Sequence, residues 1–132
     1  MMKKKWSSAW KSSKQRRKQR KYRHNAPLHV KQKFVRVHMN KELRKDIGCR
    51  TIGARKGDEV KIMRGDFKGR TGKIAKVNLK TSKIQVDGIK KQKSTGGEVM
   101  IWLHPSNLLM VLLNKDDKKR LAMLKKYKSK KQ

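Results

Sequence analysis

The chain has 132 residues, 34% hydrophobic and 37% charged, enough for one small domain and too polar for the whole length to share a core. Forty Lys and Arg against nine Asp and Glu give a formal net charge of +31, a self-repulsion whose natural counterpart is a polyanion. A lone cysteine, Cys49, excludes an internal disulfide and suits a reducing compartment, no apolar run is long enough to span a membrane, and the basic start lacks a secretory signal's apolar segment. A transit peptide is the rival reading of that start, but the Lys and Arg density does not fall away where a cleavage site would stand.

Residues 1–23 contain no acid. Ser7 or Ser8 can cap a helix over AWKSSKQRRKQRKY, a run rich in helix formers. Alone, this segment is expected to be largely unfolded, because its charges repel and its few apolar side chains cannot offset an ordering cost of roughly 1–2 kcal/mol per residue. Trp6 and Trp10 stand one helical turn apart, to stack on bases or to pack on protein. Asn25-Ala26-Pro27 breaks the run, and Pro27 opens a short helix with Val30 and Phe34 on one face. Extended chain follows through Val35 to Met39. Asn40 then caps KELRKDI, with Glu42 in the first turn, Leu43 and Ile47 a turn apart, and Gly48 closing the helix. Arg50 to Lys56 reads as a basic connector.

Gly57 to Ile74, GDEVKIMRGDFKGRTGKI, reads as two strands around a basic loop. Val60 and Ile62 alternate with polar neighbours, and a second apolar run starts at Ile74. Gly65, Gly69 and Gly72 recur where a tight turn needs positive φ or close backbone approach, with Arg64, Lys68, Arg70 and Lys73 standing out from it. The spacing resembles the KOW motif, which implies the opening part of a small SH3-like barrel. Ala75, Val77 and Leu79 alternate, residues 80–82 turn, and Ile84 and Val86 alternate again, giving a second hairpin. Residues 90–97 form a polar loop, Val99, Ile101 and Leu103 resume strand periodicity, and His104-Pro105-Ser106-Asn107 is a turn. Leu108 to Leu113 supplies a buried closing strand, the last of five. Asp116 and Asp117 suit a helix start, with Leu121, Leu124 and Tyr127 on one face.

The flanks narrow the assignment. His24-Asn25-Ala26-Pro27, Lys41-Glu42-Leu43-Arg44, Arg55-Lys56-Gly57-Asp58-Glu59-Val60, Arg64-Gly65 with Lys68-Gly69, and His104-Pro105-Ser106-Asn107 occur in the order of one family. Over roughly residues 20–113 the chain resembles the universal large-subunit ribosomal protein L-twenty-four family, in its archaeal and eukaryotic form. The resemblance implies a mainly β fold: a KOW/SH3-like barrel at 57–113, a basic N-terminal extension with short helices at 1–56 and a basic C-terminal helix or tail at 114–132. It implies a structural, non-enzymatic constituent of the cytoplasmic ribosome that binds the 5′ part of large-subunit ribosomal RNA, acts early in assembly and sits near the peptide-tunnel exit. Neighbouring large-subunit proteins are the other implied partners, with no small-molecule substrate, cofactor, metal or membrane. The lack of the eukaryotic type's long charged C-terminal extension leans towards an archaeal or compact member, and Met2 to Trp10 have no counterpart in the pattern. The rivals are a KOW-containing transcription elongation or antitermination factor, which would carry a further domain, and a polybasic membrane-surface protein.

Catalytic and nucleotide-binding readings fail on spacing. A phosphate-binding P-loop over GDFKGRTGK has six residues instead of four between Gly65 and the Gly72-Lys73 pair, and Ile74 where a hydroxyl must reach magnesium. His24, His29, His38, His104 and Cys49 have no zinc-ligand spacing. A nucleophilic Cys49 would need a paired base and an oxyanion site that nothing in the sequence suggests, so it reads as a buried or half-buried thiol, and the carboxylates read as ion-pair partners. Arginine offers a planar fork for phosphates where lysine offers a mobile point charge. The candidate RNA contacts are therefore Arg16, Arg17, Arg20, Arg23, Arg44, Arg50, Arg55, Arg64 and Arg70, joined by His24, Lys56, Lys68 and Lys73. Folded RNA is read through shape, phosphates and 2′-hydroxyls, which matches many cations and few aromatic rings.

Overall fold

Apolar side chains at every second position become burial on one face of a sheet. The computed structural model describes residues 5–129. After a 3-10 turn at Ser8–Ser12, the elements are α1 (Arg16–Asn25), α2 (Leu28–Phe34), β1 (Arg36–Met39), α3 (Lys41–Ile47), β2 (Thr51–Gly53), β3 (Glu59–Ile62) and β4 (Thr71–Asn78). They continue with β5 (Lys83–Gln92), β6 (Glu98–Leu103), a 3-10 turn at Pro105–Asn107, β7 (Leu108–Leu112) and α4 (Lys118–Ser129). The strands join in the order β2-β1-β7-β3-β4-β5-β6, with β1 parallel to β7 and every other pair antiparallel. Val37 and Met39 of β1, Val60 and Ile62 of β3, Ile84 and Val86 of β5, and Leu108 and Met110 of β7 fill the core. Helix and strand are nearly equal in extent, 36 α-helical residues against 40 in strands among the described residues, so it is the core, not the whole chain, that is mainly β.

Among the described residues seven strands stand where five were expected. Part of the supposed connector, Thr51–Gly53, is β2, paired antiparallel with β1 through Val37 and Ile52. A run of three residues with Ile52 as its one apolar side chain is too short to show a period, and its pairing comes from Val37 on the far side of α3. The ladder stays open between its edge strands β2 and β6. The polar loop expected at 90–97 is shorter than the sequence suggests, because β5 continues to Gln92. Asp87 and Gly88, with Gly88 at φ 77°, interrupt the alternation, and the register with β6 shifts between Gln85 and Lys90. Burial accordingly steps from Val86 to Ile89, out of phase with a period of two.

The helix expectations were legible in their caps. Asn40 accepts from the Lys41 amide at 2.7 Å, and Gly48 ends α3 at φ 77° with its amide on the Arg44 carbonyl. Asp117 Oδ1 accepts from the amides of Lys119 and Arg120, which starts α4. Leu124 then enters the core, with Leu121 against it. Tyr127, expected on the same face, lies outside the described side chains. Ser7 caps the 3-10 turn at Ser8–Ser12, and α1 starts separately after Gln15.

Candidate nucleic-acid interface

Among the candidate residues, exposed cations gather in two places. The first is the loop joining β3 to β4. Its base is fixed by the Ile62 amide on the Arg70 carbonyl and the Gly69 amide on the Ile62 carbonyl, each at 2.8 Å. Gly65 and Gly69 both adopt φ 89°, a left-handed conformation that a Cβ disfavours. Arg64, Lys68 and Arg70 are exposed around this tip, and the Arg70 guanidinium lies 5.3 Å from the centre of the Phe67 ring. Gly72, grouped with the turn glycines in the sequence, stands in β4 opposite Val60. Its reason is close approach: a Cβ there would lie 2.7 Å from the Asp87 carbonyl oxygen and 2.8 Å from Val86 Cγ1. Lys73 is exposed on β4 in register with Glu59.

The second place is α1, where Arg16, Arg17, Arg20, Arg23 and His24 are all exposed. Tyr22 is the half-buried side that anchors it. Its ring lies 5.4 Å from Trp6 and 6.2 Å, edge-on, from Phe34. Trp6 therefore packs on protein, whereas Trp10 is 38% exposed. Asn25 Nδ2 donates to the Lys5 carbonyl at 3.2 Å, and His24 Nδ1 sits 3.1 Å from Asn25 Oδ1.

The remaining candidates separate by what they already hold. Arg50 and Lys56 are exposed. Arg44 donates from Nε to the Met39 carbonyl at 2.9 Å, so part of its fork is turned to its own chain. Arg55 is ion-paired with Asp117. Cys49 is half-buried against the core. Lys90 and Glu98 pair at 2.7 Å across the β5–β6 arm, and the hydrogen bond and charge of Glu98 raise the Lys90 amine above its ordinary pKa. Among the described residues no helix is long and apolar enough to cross a membrane.

One polar cluster was missed from the sequence. Asp58 is fully buried and Arg120 is 3% exposed, and they meet fork to fork, Nη1 on Oδ1 at 2.6 Å and Nη2 on Oδ2 at 2.8 Å. The amides of Arg55 and Asn114 each donate to the same carboxylate at 2.9 Å, and Arg120 Nη2 also reaches the Gly53 carbonyl at 3.1 Å. Asp58 lies within the motif resemblance, but one arginine among forty cations carries no signal that it is buried. The cluster joins β2, the entry to β3, the exit of β7 and α4, and so holds the frame that presents both basic surfaces.

Comparison with known proteins gives a family and a relative. Residues 13–127 match the family of eukaryotic ribosomal proteins L26 and their archaeal L24 counterparts. The chain is also similar to "Large ribosomal subunit protein uL24" of Methanosarcina barkeri (strain Fusaro), 46% identical over 114 residues that cover 86% of this chain and 98% of the relative.

Proposed function

Because this chain belongs to the ribosomal protein family of eukaryotic L26 and its archaeal counterparts, we propose that its unpaired cations hold folded large-subunit ribosomal RNA, with the β3–β4 tip and α1 as principal contacts. It is a structural constituent of the large subunit of the cytoplasmic ribosome and not an enzyme. The balance of charges carries the RNA reading: against forty Lys and Arg, three ion pairs occur among the described residues. Most cations are left for an outside anion.

The chemistry follows from what a folded RNA exposes. A-form helices present phosphates and 2′-hydroxyls, which Arg64, Arg70 and the α1 arginines can grip with paired N–H groups while Lys68 and Lys73 add mobile charge. Bases stay inside, so few aromatic side chains are needed. Residues 57–113 are read as an SH3-like barrel of the KOW class, with 1–56 and 114–132 as extensions that follow the RNA. The family resemblance adds the finer placement: the 5′ part of the large-subunit RNA, an early role in assembly, neighbouring ribosomal proteins and a position near the tunnel exit.

Replacing Arg64, Lys68 and Arg70 together by Glu tests the tip. These side chains are exposed, so thermal melting should stay close to that of the parent. Binding to a 5′ large-subunit RNA fragment should weaken by about tenfold or more, since even one lost hydrogen bond to a charged group is worth about 1.5–3 kcal/mol. A triple variant that binds like the parent removes the tip from the interface.

A further inference from the structure

We propose that the open groove between α2, β2, β4 and α4 receives an unstacked nucleotide of RNA, with its base on the groove floor and its phosphates at the rim. The inference rests on the RNA reading above but concerns another surface. Thr71, which follows Arg70 of the tip, and Val77 are six residues apart along β4, roughly 20 Å at about 3.3 Å per residue, so the tip and the groove are separate contacts.

The groove encloses about 1010 Å³. That is the upper end of the range filled by a drug-sized ligand. Its floor is apolar and incompletely covered: Ala54, Ala75, Val77 and Leu79 are half-buried, and Met123 is 41% exposed. The register shift between Ile74 and Lys76 falls where β4 changes from a buried side chain, Ile74, to these half-buried ones. Lys33, Arg36, Lys56 and Lys76 line the groove, are exposed, and have no ion pair among the described residues. Arg55 neutralises Asp117, which leaves Asp116 as the acid at the rim without an ion pair.

An apolar floor ringed by cations has no use for a continuous duplex, which keeps its base faces stacked and offers only phosphates and sugars. A nucleotide splayed out of the stack offers both halves of the match, a flat ring for the floor and a phosphate on either side for the rim. The Met123 thioether suits the edge of an aromatic ring, and the Arg36 guanidinium can lie over its face. An acidic peptide would satisfy the rim equally well. RNA is favoured because the four exposed cations Lys33, Arg36, Lys56 and Lys76 line the groove of a chain whose net charge of +31 calls for a polyanion.

The test uses the full chain and two probes with equal phosphate number: an oligoadenylate of about twelve nucleotides, within the site sizes of single-strand-binding folds, and a fully paired RNA hairpin. Ala75→Phe fills the groove. Met123→Glu places a negative charge on its floor from an exposed position, which keeps the test valid if the filled variant does not fold. Each should weaken oligoadenylate binding by about tenfold, the worth of one stacked base, and leave hairpin binding nearly unchanged. Two outcomes overturn the inference alone: Met123→Glu binding oligoadenylate like the parent, or an acidic leucine-containing peptide being the only probe whose binding that variant weakens. A parent chain that binds neither RNA overturns the RNA reading with it.

Discussion

Gly72 shows how a residue type can be legible while its reason is not. Its recurrence with Gly65 and Gly69 marks a backbone constraint, and Gly65 and Gly69 do take positive φ. Gly72 is instead a strand residue where an added Cβ would lie 2.7 Å from the Asp87 carbonyl oxygen of β5, and Asp87 is placed by a pairing that local spacing cannot reveal. The two causes predict different costs. At Gly72 an added methyl must displace backbone, so Gly72→Ala should destabilise by about 1–3 kcal/mol and Gly72→Val by more. At Gly65, where nothing lies within 4 Å of the added Cβ, the cost should be that of the left-handed conformation alone, about 1–2 kcal/mol for alanine. Denaturant melts of the three variants separate these terms, and a Gly72→Val protein that melts with the parent would remove the close-approach argument.

Among the elements, the strands with two or more alternating apolar residues were readable, and the pieces that depend on a partner were not. β3, β7 and the first half of β5 follow period two, while β2 exists only because β1 lies beside it. Helix α4 was visible in Asp117, but its attachment through Arg120 was not. That attachment makes a strong prediction, because removing one partner of a buried ion pair strands the other charge. Asp58→Ala should cost about 3–5 kcal/mol, whereas replacing Asp58 and Arg120 together with apolar residues should cost much less than the sum of the two single changes. The loss in Asp58→Ala should also release the amides of Arg55 and Asn114, which now donate to its carboxylate. Urea titrations of both single variants and the double variant measure the coupling. A cost of about 0.5 kcal/mol, the size of a surface change, would mean that the clamp does not hold the frame.

At the scale of the whole molecule, charge is the property the sequence states most openly and the fold interprets most. A net charge of +31 calls for a polyanion wherever the cations stand. The fold divides them into those turned inward or paired, such as Arg120 and Arg55, and those left exposed on α1 and the β3–β4 tip. Only the second group should release counterions on binding. Affinity for a large-subunit RNA fragment should therefore fall steeply with salt, with log affinity losing about 0.7–0.9 per decade of salt for each phosphate contact. Replacing Arg16, Arg17, Arg20 and Arg23 by Gln should flatten that slope by up to about 3–4 units, because α1 holds its position through Tyr22 between Trp6 and Phe34 and not through those cations. The same change should leave the melting of the sheet in place, since no ion pair among the described residues uses them. Binding measured across a salt series for parent and variant decides the matter: equal slopes would take α1 off the RNA, and a parent slope near zero would show that charge is not what binds.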